Sequence, residues 1–180
     1  MGCENNCLKV GQEVCDFEAQ ALYPDGSFKD FKLSNYKGKW VVVFFYPLDF
    51  TFVCPTEIRS FNEYVADFEK LNAQVVSVST DSAFTHKAWV ENGLGKVDFP
   101  MIADTNHNVS KIFNVLVEEK GIALRGTFII SPEGIVRSVV VNDLSVGRSV
   151  EETIRTLAAF QTGDLTGCGW KPGSKTLGKA

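Results

Sequence analysis

Apolar and polar positions divide the chain into short continuous apolar runs and longer stretches of helical period. Trp40 to Tyr46 is an unbroken apolar run, rich in β-branched and aromatic residues, and Pro47 stops it. A run this short predicts a strand buried on both faces, as at the centre of a parallel sheet. After the loop 47–53 the period changes. Ile58, Phe61, Val65 and Phe68 recur at helical spacing, which predicts a helix over 55–71. Pro55 suits a first turn, where its missing N–H is not needed. Glu57 puts negative charge near the positive end of the helix dipole. Residues 74–80 read as a second core strand, and strand, helix, strand predicts parallel pairing with a right-handed crossover.

Upstream, residues 16–22 and 28–33 flank the turn signal Tyr23-Pro24-Asp25-Gly26 and predict a small hairpin. Downstream, Asp81 and Ser82 offer N-caps for a helix over 84–91, which Asn92-Gly93-Leu94-Gly95 stops. A short strand over 98–103 follows. Asp104-Thr105 then caps a helix carrying Val109, Ile112 and Phe113. Strand 127–130, the turn Ser131-Pro132-Glu133-Gly134 and strand 135–141 form an antiparallel hairpin. Ser149-Val150-Glu151-Glu152 fits a capping box and opens a helix with Val150, Ile154, Leu157 and Ala158 on one face. From Gly163 the chain turns glycine-rich and is expected to be mobile. The division is a flexible arm 1–9, one domain 10–162, and a tail 163–180. The order β-α-β, antiparallel hairpin, final helix predicts an α/β, thioredoxin-like three-layer fold with a central mixed sheet flanked by helices. The redox pair of that layout is missing, because Glu57 stands where a Cys-x-x-Cys would need its second cysteine.

Composition narrows the function classes. The 180 residues are enough for one domain with a sizeable core. A net charge of −4 and a pI near 5.2 argue against a nucleic-acid footprint. No apolar stretch approaches the ~18 residues of a membrane span, and no signal-peptide core is visible, so a cytosolic protein is expected. The myristoylation pattern fails at Asn6. Five cysteines, an odd number in a chain of this size, argue against a disulfide framework. Cys3, Cys7 and Cys15 read as incidental thiols. Their spacing departs from that of zinc ligands, and His86 and His107 lie far off, so neither metal nor cofactor is expected.

Cys54 is different. It lies where a strand hands over to a helix, and orphan N–H groups with the dipole's positive end favour an anion there. The thiolate is the nucleophilic form of cysteine. This position favours a reactive role over that of a small buried apolar side chain.

The stretch Pro47-Leu48-Asp49-Phe50-Thr51-Phe52-Val53-Cys54-Pro55-Thr56-Glu57 resembles the active-site signature of peroxiredoxins, Pro-x-x-x-Thr-x-x-Cys, in its alkyl hydroperoxide reductase C, typical two-cysteine form. Thr85-His86-Lys87-Ala88-Trp89, Gly147-Arg148-Ser149 and Gly169-Trp170-Lys171-Pro172-Gly173 match the same group, and similarity runs from about residue 10 to residue 177. The resemblance implies a thiol peroxidase acting on hydrogen peroxide and organic hydroperoxides. It makes Cys54 the peroxidatic cysteine and Thr51 the residue that orients the peroxide. Pro47 shields the sulfur from water and Arg125 lies beside it. Glu57 and Arg148 form an ion-paired support. Cys168 is the resolving cysteine, supplied by the partner subunit of a homodimer that assembles to a decamer. A thioredoxin or a dedicated flavoprotein disulfide reductase recycles the disulfide.

Taken singly, Thr51 would read as a turn residue, Arg125 as an exposed charge and Arg148 as surface decoration; the joint match selects the roles above. Trp89 reads as core packing, and His86 as a surface or hydrogen-bonding residue. Glycines flank Cys168 where the group commonly has Val-Cys-Pro. Asn92-Gly93-Leu94-Gly95 resembles a Gly-Gly-Leu-Gly loop of overoxidation-sensitive members, and the accompanying Tyr-Phe pair is absent, which implies relative resistance to overoxidation. The alternatives are an oligomeric redox relay or chaperone, and a thioredoxin-like disulfide reductase, against which the missing Cys-x-x-Cys counts.

Overall fold

The computed structural model of the chain describes residues 8–179. Cys3, Cys7 and most of the predicted arm lie outside the described residues. Strand β3 (Trp40–Phe45) is the spine. Val41, Val43 and Phe45 enter one core cluster, while Val42, Phe44 and Tyr46 enter the other. Side chains alternate across a strand, so a continuous apolar run requires cover on both sides.

The cover is three layers deep. β3 pairs in parallel with β4 (Ala73–Ser79), and β4 in parallel with β5 (Met101–Ala103). On its other edge β3 pairs antiparallel with β8 (Arg125–Ile130), which pairs antiparallel with β9 (Val136–Asn142). The predicted upstream hairpin, β1 (Glu18–Leu22) and β2 (Phe28–Lys32), joins the same sheet through β1 and β5. The order is β2-β1-β5-β4-β3-β8-β9, a mixed sheet of thioredoxin-like type. On one face lie α1 (Cys54–Glu63), α2 (Val65–Lys70), α3 (Ala83–Trp89) and α5 (Val150–Gln161), contributing Ile58, Phe61, Phe68, Trp89 and Leu157. On the other lies α4 (Asn108–Ile112), with Val109 and, just past its end, Phe113.

Phe44 of β3 stacks on Phe61 of α1 with ring centres 4.0 Å apart and meets Phe99 edge-on at 5.6 Å. Burying such a ring is worth roughly 1.5–3 kcal/mol. The contact fixes the helix that starts with Cys54 against the strand that precedes it.

Several elements differ from expectation. The predicted helix 55–71 is two helices broken at Tyr64 (φ −99, ψ 8). Its apolar period runs on through the break, so the period could not reveal it. Helix α4 starts at Asn108, later than expected. Asp104 still caps it, accepting from Val109 N at 2.9 Å and Ser110 N at 2.7 Å. Only half of the capping box forms. Ser149 Oγ accepts from Glu152 N, while the Glu152 carboxylate turns to Arg155. A two-stranded ribbon, β6 (Leu116–Val117) with β7 (Ile122–Ala123), is too short to show a period. Cys15 is disulfide-bonded and so is not an idle thiol. An odd cysteine count rules out complete pairing and leaves room for a single pair.

The tail, expected to be mobile, folds back on itself. Leu165 N donates to Gly178 O and Leu177 N to Leu165 O, both at 2.8 Å. Trp170 is buried, its Nε1 donates to Ser174 O, and its carbonyl accepts from Arg155 Nη1 at 3.0 Å. Among the described residues no helix is long and apolar enough to cross a membrane.

Candidate active site

Helix α1 buries Cys54, Glu57, Ile58 and Phe61, the spacing of one helix face. Glu57 therefore stands one turn above Cys54 on the buried side. β8 runs antiparallel to β3 with Thr127 opposite Phe44. Arg125, at the start of β8, is thereby delivered to the end of β3 where the loop to Cys54 begins.

Arg125 is buried. Its Nη1 lies 3.5 Å from Cys54 Sγ and 2.6 Å from Glu57 Oε2, and its Nε donates to Leu144 O at 2.7 Å. Arg148 completes the arrangement from the segment before α5. Its backbone N and Nε both donate to Glu57 Oε1, at 3.0 and 2.7 Å, and its Nη1 donates to Gly126 O at 2.7 Å. Burial pushes the Arg148 guanidinium below the usual arginine value, and Glu57 opposes that shift. Arg148 Nη2 has no hydrogen-bond partner among the described residues. The guanidinium carbon lies 5.5 Å from the centre of the Phe44 ring, a cation–π contact that offsets part of the desolvation. Two guanidiniums share one carboxylate, so the cluster beside the sulfur carries an excess positive charge.

The loop 47–53 is held from beneath. Pro47 is buried against the core. Asp49 Oδ1 accepts from Tyr46 Oη at 2.7 Å, its Oδ2 lies 2.7 Å from His86 Nδ1, and its backbone N donates to Asp81 Oδ2 at 2.9 Å. His86 is fully buried, not on the surface. Its Nε2 lies 3.2 Å from Ile102 O, an acceptor only, so Nε2 donates there, while its Nδ1 faces Asp49 Oδ2 and, at 3.4 Å, Tyr46 Oη. Burial, reinforced by the Asp49 carboxylate, pushes the Tyr46 phenol well above its usual value, which keeps it a donor. Thr51 sits at the loop's outer edge, its Oγ1 donating to Leu48 O at 2.9 Å and leaving its lone pairs for another donor. Phe50 takes a left-handed backbone (φ 54) and lays its ring 5.8 Å from that of Trp89, which is buried as expected.

The structure thus brings Cys54, Glu57, Arg125 and Arg148 into one buried cluster, with Pro47 buried at the start of the loop and Thr51 half-buried further along it. Cys168 lies on the surface. The Asp49–His86–Tyr46 anchor was absent from the sequence reading. Its signal was an acidic residue inside the loop and a histidine one turn into the helix after β4.

The model of the AhpC/TSA family matches residues 10–139. The chain belongs to this family, the peroxiredoxins. Peroxiredoxin-1 of Gallus gallus is 50% identical over 177 residues, 93% of this chain and 89% of that protein. Peroxiredoxin-2 of Bos taurus is 51% identical over 177 residues, 93% of this chain and 88% of that protein. Among solved structures, the reduced 2-Cys peroxiredoxin of Plasmodium vivax superposes with a TM-score of 0.90 at 36% identity, covering 92% of this chain and 91% of that one. AhpC of Enterococcus faecalis gives 0.83 at 43% identity, covering 85% and 92%. The peroxiredoxin signature in loop 47–53 and α1 therefore sits on the fold expected for it.

Proposed function

We propose that this peroxiredoxin is a thiol-dependent peroxidase in which Cys54 attacks the O–O bond of hydrogen peroxide or an organic hydroperoxide. The observation that carries this reading is the position of Arg125 Nη1, facing both Cys54 Sγ and Glu57. Cys54 as thiolate takes the distal peroxide oxygen. The O–O bond breaks, the transferred oxygen keeps its hydrogen so that Cys54 becomes a sulfenic acid, and the departing alkoxide or hydroxide takes a proton from solvent. Arg125 stabilises the charge as it moves from sulfur to the leaving oxygen, and as arginine it stays charged and offers donors in a fixed plane. Glu57 and Arg148 hold it in place. Thr51 orients the peroxide through its free lone pairs.

The sulfenic acid then condenses with Cys168 of a second copy, forming a disulfide and releasing water. Disulfide geometry requires the Cα atoms to come within ~7 Å. Cys54 is fully buried and Cys168 exposed, so the first turn of α1 unwinds to meet it. A thioredoxin or a dedicated flavoprotein disulfide reductase restores the thiols, and the protein works in the cytosol. Two features support assembly. β9 is an edge strand with exposed Val140 and Val141, fit to pair with a second copy. Leu48, Phe50, Phe52 and Phe84 are exposed around the loop, fit to join dimers into a decamer.

The test is peroxide consumption with a thioredoxin reducing system. Cys54→Ser should abolish turnover. Cys168→Ser should turn over only with a small-thiol reductant. A chaperone without peroxidase activity would consume no peroxide even as wild type.

A further inference from the structure

Cys168 stands at the corner of a tight turn. Trp170 N donates to Gly167 O at 3.1 Å, and Gly169, the third residue of the turn, has φ 67, where glycine is favoured. Cys168 is exposed, while Trp170 is buried with its Nε1 donating to Ser174 O at 3.1 Å. The turn is thus seated by its indole and leaves its thiol outside.

One cation from the body of the fold reaches this turn. Arg155 of α5 commits Nε and Nη2 to Glu152, both at 2.7 Å, as a side-on fork. The fork leaves Nη1 on the opposite side, where it donates to Trp170 O at 3.0 Å. Glu152 therefore orients the guanidinium with a positive edge toward the turn. The guanidinium stands above its ordinary value, held there first by the Glu152 hydrogen bond, and the Cys168 sulfur adds to the same shift. The tail's own cations, Lys171, Lys175 and Lys179, are exposed and have no hydrogen bond or ion pair to fix them among the described residues.

We propose that Arg155 is a positioning residue for the resolving step: it seats the Cys168 turn on α5 and stabilises the negative charge that Cys168 carries as it attacks. This rests on the peroxidase reading above. In that step the Cys168 sulfur, as thiolate, attacks the sulfenic sulfur of a second copy's Cys54. The S–S bond forms, the S–O bond breaks, and the departing hydroxide takes a proton from solvent. Each copy brings its own cation, because Arg155 and Cys168 belong to one chain. The side chain of Arg155 bonds Glu152, Thr156 and Trp170, so the first oxidation of Cys54 does not depend on it. A clasp without charge would act in the opposite sense, since releasing the turn would free Cys168 and hasten the disulfide.

The experiment compares wild type, Arg155→Gln and Arg155→Lys in the full-length protein. Glutamine keeps a donor for Trp170 O and loses the charge, while lysine keeps the charge and loses the fork. The first readout is disulfide formation after addition of hydrogen peroxide, by rapid acid quench and intact mass. Arg155→Gln should slow it about threefold, the scale of a charge interaction near the surface, and Arg155→Lys should restore most of the rate. The gap between wild type and Arg155→Gln should shrink at about 1 M salt, which screens a charge and leaves a purely structural role unmoved. The second readout needs no peroxide: alkylation of Cys168 by iodoacetamide, a neutral reagent, in a Cys54→Ser background, read by peptide mass. It should slow by a similar factor in Arg155→Gln. Wild-type or faster rates in Arg155→Gln, or a loss that neither lysine nor salt alters, would overturn the proposal. If wild-type Cys54 is not oxidised at all, the peroxidase reading falls, while alkylation still decides whether Arg155 acts on Cys168.

Discussion

Glu57 and Arg125 meet at 2.6 Å, and the same arginine nitrogen faces Cys54 Sγ at 3.5 Å. A carboxylate one turn into the helix thus aims a cation at the sulfur on the helix's first residue. It does so while bonded to a second buried cation, Arg148. Removing the carboxylate's charge leaves two guanidiniums buried together with only the Cys54 sulfur to balance them. Glu57→Gln should lose about 3–5 kcal/mol of stability, the scale for a broken buried pair. Denaturant unfolding checks this, and a loss within experimental error would mean that water compensates both cations.

Arg125→Lys keeps the charge and discards the fixed plane that lets one group serve Cys54, Glu57 and Leu144 O together. The second-order rate of Cys54 with hydrogen peroxide should fall about 10²-fold, comparable to losing one oriented donor. Competition against a reference peroxidase measures it. A rate equal to wild type would remove the oriented donor from the mechanism.

Gly126 owes its identity to packing. A Cβ built there would lie 2.8 Å from the Phe128 ring and 2.9 Å from Val115, both in the core. Gly126→Ala should cost about 1–3 kcal/mol through overpacking. It should also slow peroxide reduction, because Arg125 is its chain neighbour and Arg148 bonds its carbonyl. Thermal melting and the peroxide rate read the two effects separately.

Asp81 offers a pH test of the anchor beneath the loop. Burial raises its carboxyl above the ordinary value, and the Asp49 carboxylate adds to the shift. A group raised in the folded state contributes stability below its unfolded value and loses it as pH rises through the folded one. At neutral pH ionised Asp81 therefore costs stability relative to the unfolded chain. Asp81→Asn, which still accepts from Asp49 N and Ser79 Oγ, should melt above wild type at neutral pH. The gap should close as pH falls through the carboxylate range. Melting curves across pH check it, and a variant that melts lower at neutral pH would show that the ionised acceptor is worth more than its burial costs.

The sheet was legible because its signals are local. A continuous apolar run that Pro47 ends can be little else than a central strand, and Ile58, Phe61 and Phe68 repeat as a helix must. The break at Tyr64 was not legible, since buried positions keep step across it. Cys54 and Glu57 could be paired from spacing alone, one turn apart on a helix. Arg125 and Arg148 could not, because their approach depends on how β8 registers against β3 and on the segment before α5, and only the family signature singled them out. Of the two roles expected for His86, surface or hydrogen-bonding, the structure gives the second, and its partner was hidden for the same reason. Nothing near it in sequence says that Asp49 would come to lie 2.7 Å away.

Trp170 is buried and stands two residues from Cys168, held by Ser174 and Arg155. Any force that draws Cys168 toward another sulfur pulls on that indole as well, away from its dry seat and into water. If Cys168 joins another sulfur, the emission of Trp170 should shift to the red over the background of Trp40 and Trp89, a gauge of whether the thiols are apart or joined.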